Sequence, residues 1–380
     1  MLSSAPVPAT VSDPVNAAIL AISEDRLEGF QENPFREIAH RTGLPIDQVI
    51  ERVGAMLRAG TIRRVRQTVL ATNLAQGALA AWQIDPLRLD DAFEFMSVQD
   101  PFSGHVVIRT ADPATPGAHY RLWTTLKVPQ GFSLEKHAEW LRRRAGAAHV
   151  RLMPAKKLFA LGVGHIRRRG IEPGSRAPVL ADPIDTAIVQ LDETQWRVLT
   201  ALKRECAFEE LRETLWAARA EEAGVPFETF LQTARELNRL GVIGRFSTFL
   251  EHVKPTAGNE RVTRYNALFH WAVPPGREVE AGREVGRHHI ITHAYWREGG
   301  PEFRNVNIMA VAHGLDKEVL LAHKAAIDEH LREAGTDFAY TNVFWGGRSE
   351  IKPSEIVPSA YEAFCEAKGI DPADMREERS

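Results

Sequence analysis

Residues 288–297 read HHIITHAYWR, and residues 304–314 read RNVNIMAVAHG. Both stretches are apolar and rich in β-branched or aromatic side chains, which favour β-strands. The residues between them, 298–301, read EGGP and have the composition of a turn. The sequence therefore predicts a β-hairpin at this place.

The two faces of this hairpin differ in chemistry. Because alternate residues of a strand share a face, His293, Tyr295 and Arg297 are predicted on one face. Ala294 and Trp296 are then predicted on the other face. We expect any chemistry on the face that carries the histidine and the arginine.

The composition indicates a soluble globular protein of more than one domain. The chain has 380 residues, of which 44% are hydrophobic and 26% charged. Its net charge of -3 gives no general attraction to nucleic acid. Cys206 and Cys365 form no metal-binding or CxxC pattern, so a reducing, cytoplasmic location is expected. No export signal or membrane span is expected.

The N-terminal part has the pattern of a winged helix-turn-helix. Apolar residues recur at helical spacing from Pro14 to Leu57, with a break at Gly43. Gly60 is placed to end the third helix, and residues 62–70 are predicted as the wing strand.

The next part has the strand and helix order of a ferredoxin-like domain. Between residues 78 and 160 the pattern predicts the order βαββαβ. The predicted strands are 79–84, 105–109, 121–128 and 150–161, and the predicted helices are 87–98 and 134–145.

Both blocks then recur, which predicts a domain-sized duplication. Corresponding residues are 181 positions apart for Gly43 and Gly224 and for Gly60 and Gly241, 189 apart for Trp82 and Trp271, and 188 apart for His105 and His293. The predicted fold class is α+β, a tandem duplication of a winged helix-turn-helix and a ferredoxin-like βαββαβ domain. The predicted segments are an N-terminal extension (1–13), winged helix-turn-helix 1 (14–72), ferredoxin-like domain 1 (73–165), a linker (166–190), winged helix-turn-helix 2 (191–255), ferredoxin-like domain 2 (256–352) and a C-terminal helix and tail (353–380).

This domain order resembles the Lrp/AsnC family, and within it the chain is similar to the siroheme decarboxylases over residues 14–352. Residues 33–39 and 57–64 carry the general resemblance, and residues 292–297 and 307–314 carry the more specific one. The resemblance implies that two subunit-like halves are fused in one chain. It implies an iron tetrapyrrole, siroheme or haem, as the ligand, and a carboxy-lyase activity in haem biosynthesis that removes acetate carboxyl groups as CO₂. No cofactor beyond the tetrapyrrole is then expected.

The resemblance also implies a set of site residues. The predicted catalytic residues are His293, Tyr295, Arg297 and His313. Arginine would fix a carboxylate, and a histidine would supply a proton or ligate the iron. Tyr295, Trp296 and Met309 are expected to form an apolar wall. The predicted substrate-binding residues are His105, Arg109, Arg121, Lys156, Lys157, Trp296, Arg304, Asn307, Met309 and Lys352.

The two copies are not identical at the hairpin. Residues 104–109, GHVVIR, keep the histidine and the arginine but lack the tyrosine. By sequence, His313-Gly314 corresponds to Gln130-Gly131. The sequence leaves open whether one copy or both copies act.

Two other functions are kept as alternatives. One is a Lrp/AsnC-type transcriptional regulator that senses a small ligand and contacts DNA through Arg63, Arg64 and Arg66. The DNA-reading helices, 46–59 and 227–240, carry no net charge, so nucleic acid is the less favoured partner. The other alternative is a haem-binding pseudoenzyme or carrier. The two ferredoxin-like domains are expected to pair within the chain, and a homodimer is a further hypothesis.

Overall fold

The computed structural model describes residues 6–162, 164–252, 254–256 and 259–378. The first five residues of the predicted N-terminal extension and the last two of the predicted tail lie outside the described residues. The chain forms two compact units. Unit 1 comprises residues 1–70, 162–169 and 189–264, and unit 2 comprises residues 71–161, 170–188 and 265–380.

The helices and strands follow the predicted order. In the part of the chain that the structure describes, the α-helices are α1 (Pro14–Ser23), α2 (Pro34–Thr42), α3 (Ile46–Arg58), α4 (Leu89–Glu94), α5 (Leu134–Ala145), α6 (Glu193–Lys203), α7 (Trp216–Ala223), α8 (Phe227–Arg239), α9 (Glu278–Gly286), α10 (Lys317–Glu333) and α11 (Pro358–Ala367). The strands are β1 (Leu27–Glu28), β2 (Ile62–Val69), β3 (Ala75–Gln83), β4 (Ser103–Thr110), β5 (Tyr120–Pro129), β6 (His149–Pro154), β7 (Lys157–Leu161), β8 (Ile184–Asp185), β9 (Ile243–Leu250), β10 (Tyr265–Ala272), β11 (Ile291–Trp296), β12 (Ile308–Gly314) and β13 (Tyr340–Ile351).

Unit 1 contains both helix-turn-helix blocks. The first consists of α1 to α3 with the wing β2, and the second of α6 to α8 with the wing β9. Gly43 and Gly224 end α2 and α7 in the left-handed conformation, with φ of 72° and 63°. A side chain at these positions would be strained, which explains why glycine marks the turn in both copies.

The two wings of unit 1 belong to one sheet. Strand β9 lies between β1 and β2, and Thr248 pairs with Val65. The sequence placed the two winged segments in separate domains, whereas the structure groups them in one unit. An edge strand can pair with any strand that lies beside it, and the hydrophobic periodicity of the sequence does not indicate which strand that will be.

Unit 2 contains the two ferredoxin-like domains. The first half has the strand order β6-β3-β5-β4, and the second half has the equivalent order β13-β10-β12-β11. In each half the fourth strand of the domain pairs with the first, and the third strand separates the first from the second. This is the predicted βαββαβ fold in both copies.

The two halves share a ten-stranded sheet. Strand β13 continues beyond its own half and pairs with β4 of the first half. In return, β7 leaves the first half and pairs with β11 of the second half. Each half therefore receives an edge strand from the other.

The single predicted strand 150–161 was wrong. It is broken into β6 and β7 after Pro154. Proline has no N–H group and cannot continue a hydrogen-bonded ladder, so the strand that pairs with β3 ends there. The chain then turns, and β7 begins in the other half of the sheet, with Leu158 opposite Tyr295.

Apolar residues of unit 2 pack on both surfaces of the sheet. On the outer surfaces, the first half packs against α4, α5 and α11, and the second half packs against α9 and α10. Between the halves lies a central core in which the Trp123 ring is 5.2 Å from that of Phe344 and 5.4 Å from that of Phe303. Met153 and Met309 also belong to this central core. We call the sheet surfaces that border it the inner faces.

No helix in the four described ranges combines the length and the apolar character that a bilayer crossing needs. The longest, α10, has 17 residues and carries charged side chains along its length.

Candidate functional site

The predicted hairpin is present. Strands β11 and β12 are antiparallel, with Tyr295 opposite Met309 and Trp296 opposite Ile308. Ala294 and Trp296 pack on the helix side of the sheet. The alternation places His293, Tyr295 and Arg297 on the inner face, as the sequence predicted.

His293, Tyr295 and Arg297 form a stack along β11. The rings of His293 and Tyr295 are nearly parallel, with centroids 6.2 Å apart. The Arg297 guanidinium lies 4.3 Å above the Tyr295 ring. Arg297 is only 8% exposed, and its Nη1 donates to the carbonyl oxygen of Met153 in β6 at 2.5 Å. Burial lowers the pKa of Arg297 and raises that of Tyr295.

Thr292 links the two histidines of the hairpin. The register of β11 against β12 shifts between Ile291 and His293, and this bulge brings the Thr292 hydroxyl near both imidazoles. Its Oγ1 lies 3.1 Å from His293 Nδ1 and 3.4 Å from His313 Nδ1, and it donates to the carbonyl oxygen of Val311 at 3.0 Å.

The single hydroxyl proton of Thr292 decides the histidine tautomers. Because that proton is donated to Val311, Oγ1 can only accept from the two imidazoles. In their neutral forms, His293 and His313 therefore carry the proton on Nδ1. Each Nε2 then holds a lone pair, which in His313 accepts a hydrogen bond from the Asn266 amide.

Asn266 joins His313 to an arginine of the first half. Arg109 in β4 donates from Nη1 to Asn266 Oδ1 at 3.2 Å and to the carbonyl oxygen of Phe344 at 3.4 Å. An arginine can only donate, so the amide oxygen of Asn266 faces Arg109 and its nitrogen donates to His313 Nε2 at 3.1 Å. We call Arg109, Asn266, Thr292, His293 and His313 the histidine site.

Arg109 is buried at this site. It is 4% exposed, and burial lowers its pKa from the ordinary value of an arginine to about 9. The sequence predicted Arg109, His293 and His313 but not Asn266 or Thr292. The available signal was that Asn266 alternates with the apolar residues of β10 and so lies on its inner face.

The two arginines occupy equivalent positions of the duplicated fold. Arg109 donates to Phe344 on the fourth strand of the second half, and Arg297 donates to Met153 on the fourth strand of the first half. Each arginine thus belongs to one half and binds the backbone of the other.

The strand register corrects the residue of the first half that was assigned as the counterpart of His313. In the second half, Asn266 pairs with His313, and at the equivalent register of the first half Gly77 pairs with Lys127. The counterpart of His313 is therefore Lys127, and the sequence-based assignment to Gln130 was wrong. Gln130 lies beyond the end of β5, where its amide donates to the carbonyl oxygen of Leu74. The glycines at 131 and 314 look equivalent in sequence, but only the ladder shows which residues face each other.

Three predicted binding residues lie on the helix side of the sheet. Lys156 pairs with Glu298 at 2.8 Å and lies 4.9 Å above the Trp296 ring. Trp296 donates from Nε1 to the same carboxylate at 2.9 Å. Lys157, opposite Trp296, pairs with Asp185. Trp296 therefore cannot share an apolar wall with Tyr295 and Met309, because the two sets lie on opposite faces.

Other predicted binding residues are bonded to the backbone or to nearby rings. The Asn307 amide accepts from the N–H and donates to the carbonyl oxygen of Val273, both at 2.9 Å. The Lys352 ammonium donates to backbone carbonyl oxygens at residues 96, 97 and 100. Arg304 lies 4.8 Å from the ring of Tyr340. These contacts give Asn307 and Lys352 structural functions.

His105 and Arg121 are close to the inner face of the first half. His105 Nε2 lies 3.3 Å from Ser349 Oγ on β13. Arg121 donates from Nε to the carbonyl oxygen of Arg109 at 3.0 Å. His105 is thus the structural counterpart of His293, but it lies beside a serine rather than a second histidine.

The wing arginines of unit 1 are half-buried. Arg64 pairs with Glu205 at 2.6 Å, and Arg66 lies 5.4 Å from the Phe249 ring. Burial lowers the pKa of Arg66 to about 10. Arg64 and Arg66 therefore have partners within their own unit.

A second histidine cluster lies between α9 and α10. His288 Nε2 is 2.8 Å from His330 Nδ1, and both lie near Glu284. The Glu284 carboxylate pairs with Arg176 and Arg287, each at 2.7 Å. The two arginines already neutralise the only carboxylate of this cluster, so its attraction for a cation is weak.

A surface cleft of about 440 Å³ lies elsewhere in unit 2. It is lined by Phe93, Glu94, Ser97, Val98, Arg348, Ser349, Glu350 and Lys352. Its arginine, Arg348, already pairs with Asp90 and Glu94. The cleft therefore offers an anion little uncompensated charge.

Both ferredoxin-like domains match a family model built from known proteins. Residues 74–160 and 263–341 match the family model of the AsnC-like ligand binding domain. Both ferredoxin-like domains of this chain are therefore similar to the AsnC-like ligand binding domain. Over 84 residues it is 34% identical to the siroheme decarboxylase beta subunit of Oleidesulfovibrio alaskensis, which covers 22% of this chain and 49% of the relative. Over 101 residues it is 28% identical to the siroheme decarboxylase beta subunit of Desulfovibrio desulfuricans. This match covers 27% of this chain and 60% of the relative. The chain thus spans about half the length of the curated relatives it matches.

The fold is shared with solved structures along nearly the whole chain. The crystal structure of the siroheme decarboxylase NirDL superimposes with a TM-score of 0.63 at 19% identity, covering 93% of this chain and 97% of that one. The same enzyme in co-complex with an iron-uroporphyrin III analogue gives a TM-score of 0.62 at 18% identity. This chain therefore has the tandem fold of NirDL.

Both ferredoxin-like domains carry positive charge on their inner faces, which is buried at Arg109 and Arg297 and half-buried at Lys127. Arg109 and Lys127 come from the first domain and Arg297 from the second. Among the residues that the structure describes, no carboxylate pairs with any of the three. A charge removed from water without an opposite charge destabilises a fold, so these three side chains are candidates for binding the anionic groups of a ligand.

Proposed function

We propose that the chain is an iron-tetrapyrrole decarboxylase of the siroheme decarboxylase type, which removes acetate carboxyl groups as CO₂. The observation that supports this most directly is the histidine site, where Asn266 joins the buried Arg109 to His313 and no carboxylate among the described residues pairs with Arg109. A tetrapyrrole with several carboxylates supplies the missing anions. The similarity to siroheme decarboxylase beta subunits and the shared fold with NirDL support the same class of substrate.

Arg109 is proposed to hold the reacting acetate. Its guanidinium makes hydrogen bonds to Asn266 and Phe344 through one nitrogen, Nη1. A carboxylate bound to the remaining N–H groups would gain charge-assisted bonds in a site shielded from water. The same carboxylate loses solvation there, which favours its departure as uncharged CO₂.

The proton is proposed to come from the histidine pair. When the bond to the carboxyl carbon breaks, its electron pair stays on the methylene carbon, and a proton added there gives a methyl group. The change is balanced by one proton and needs neither oxidant nor reductant. His313 is next to Arg109 through Asn266, and His293 reaches His313 through Thr292. Imidazole titrates near neutral pH, as this step requires.

Several sequence-based predictions stay predictions within this proposal. Either His293 or His313 is a candidate ligand of the iron; to bind it, His313 would give up the hydrogen bond that its Nε2 accepts from Asn266. No cofactor beyond the iron tetrapyrrole is required by the chemistry. A cytoplasmic location fits the two buried free cysteines, Cys206 and Cys365. Homodimer formation is an untested hypothesis.

The regulator hypothesis has less support. Arg64 and Arg66, two of the wing arginines on which it depends, contact Glu205 and Phe249 in their own unit. The carrier hypothesis places the tetrapyrrole at the same histidine site as the decarboxylase hypothesis. It differs only in predicting that the bound tetrapyrrole does not react.

The deciding experiment is anaerobic incubation with siroheme followed by mass spectrometry of the pigment. We expect the pigment mass to fall by one CO₂ for each acetate converted. His313→Ala should bind pigment but lose turnover, and the matched control is His289→Gln at an exposed neighbouring position. A bound pigment of unchanged mass with the wild-type protein would support the carrier instead. Failure to bind siroheme at all would exclude both.

A further inference from the structure

Lys127 has the features of a ligand-binding residue that the histidine site does not use. It lies on β5, and alternation from Trp123 of the central core places it on the inner face of the first half. It is half-buried. Its partner across the ladder is Gly77, and a Cβ there would lie 2.5 Å from Lys127 Cδ and 2.9 Å from Nζ. Glycine at position 77 therefore makes room for the lysine side chain to lie across β3.

The charge of Lys127 is uncompensated. Among the described residues, its ammonium has no hydrogen-bond acceptor and no carboxylate partner. Burial, and then the nearby charge of Arg297, lower the pKa of Lys127 to about 7. Arg297 is itself buried, with contacts to the Met153 carbonyl and to Tyr295. Two neighbouring cations without an anion repel each other, and an anion between them would relieve that repulsion.

The duplicated fold shows how this place differs from the histidine site. At equivalent register, the pair Asn266 and His313 of the second half is replaced by Gly77 and Lys127. At the equivalent arginine positions, Arg109 accompanies His313 and Arg297 accompanies Lys127. A lysine–arginine pair binds carboxylates well, and of the histidine pair this position keeps only the counterpart of His293, which is His105 beside Ser349.

We propose that Lys127 and Arg297 together bind a carboxylate side chain of the tetrapyrrole and hold it without reaction. The inference rests on the proposed function for the identity of the ligand. The two AsnC-like domains then have different tasks. The histidine site removes a carboxyl group, and the equivalent position, which holds Lys127 and Arg297, fixes the orientation of the substrate.

The first measurement is the affinity of the full chain for iron uroporphyrin III, followed by absorbance titration. Lys127→Gln should weaken binding roughly tenfold to a hundredfold, because it removes one bond to a charged group. Lys127→Arg should restore most of the affinity, since it restores the charge. The control is Lys317→Gln, which removes an exposed lysine at the start of α10 and should leave affinity unchanged. Equal affinities for wild type and Lys127→Gln would overturn the proposal.

The second measurement separates binding from a structural effect. Reductive methylation with ¹³C-formaldehyde gives each lysine an NMR signal, and the Lys127 signal is the one that Lys127→Gln lacks. It should titrate near neutral pH in the free protein. Diamagnetic zinc uroporphyrin III should then raise the pKa of Lys127, since a bound carboxylate stabilises the charged ammonium. An unchanged titration of Lys127 with porphyrin bound would show that the lysine does not contact the ligand.

The two proposals fail in different ways. If siroheme is bound but not decarboxylated while Lys127 responds to the porphyrin, the activity is wrong and the lysine site stands. If siroheme is decarboxylated and Lys127→Gln binds porphyrin normally, the lysine site is wrong and the activity stands.

Discussion

Replacing the buried Arg109 by methionine should stabilise the pigment-free protein while it abolishes function. Burial lowers the pKa of Arg109 well below the ordinary value of an arginine, to about 9. At about 1.4 kcal/mol per pKa unit, keeping this charge in the fold costs roughly 4–5 kcal/mol. Methionine removes the charge and occupies a similar apolar volume.

The substitution also removes two hydrogen bonds. Arg109 donates to Asn266 at 3.2 Å and to the carbonyl oxygen of Phe344 at 3.4 Å. Hydrogen bonds to a charged group contribute about 1.5–3 kcal/mol, and since these two are long, each is taken at about 1.5 kcal/mol. The expected net effect is thus a gain of roughly 1–2 kcal/mol in the free energy of unfolding.

Urea denaturation of pigment-free wild type and Arg109→Met is the assay. The midpoint should rise for Arg109→Met with an unchanged dependence on urea, while pigment binding and turnover are lost. Arg348→Met is the matched control, because Arg348 is 45% exposed and paired with Asp90 and Glu94, so its effect on the free energy of unfolding should stay within about 1 kcal/mol. An Arg109→Met protein less stable than wild type by more than about 1 kcal/mol would refute the reasoning that this charge awaits a ligand anion.

Three further outcomes are expected. His313→Ala should lower kcat for siroheme decarboxylation roughly 10²–10⁴-fold, because it removes the proton donor; a variant with normal kcat would place the proton elsewhere. Thr292→Val removes the acceptor of both Nδ1–H groups, so it should lower kcat roughly 10–100-fold and shift its pH profile; an unshifted profile would contradict the assigned tautomers. Burial lowers the pKa of His270 from 6.5 to about 3, so the unfolded chain takes up this proton first as the pH falls. The free energy of unfolding should therefore decrease below pH 6.5 by at most about 1.4 kcal/mol per pH unit on this account. Urea unfolding of His270→Leu should show a shallower decrease, and an equal slope would be evidence against it.

The parts of the site that depend on local pattern were predictable. Alternation along residues 291–297 gave the strand, the hairpin and the face of His293 and Arg297. The recurrence of histidine and arginine near residue 105 gave Arg109 as a partner position. These predictions succeed because the alternation of side chains between the two faces of a strand depends only on the local sequence.

The parts that depend on pairing between distant strands were not predictable. Nothing near Lys157 indicates that β7 joins the other half of the sheet. The correspondence of Lys127 with His313 follows from the ladder and not from the spacing of nearby glycines. Residue type alone also does not show which groups a side chain contacts, since Asn307 and Lys352, predicted to bind the substrate, make hydrogen bonds to backbone groups. A polar residue can serve either purpose, and only its neighbours decide which.

The exchanged edge strands, β7 and β13, have a consequence for any attempt to divide this chain. A cut between the two halves would leave β7 on the first fragment and its complementary edge, β11, on the second. The reverse holds for β4 and β13. Each fragment would expose an open ladder that fits only the other fragment, much as a missing strand is supplied between subunits in donor-strand complementation. Fragments produced together should find each other, whereas a fragment produced alone should aggregate through its unpaired edge.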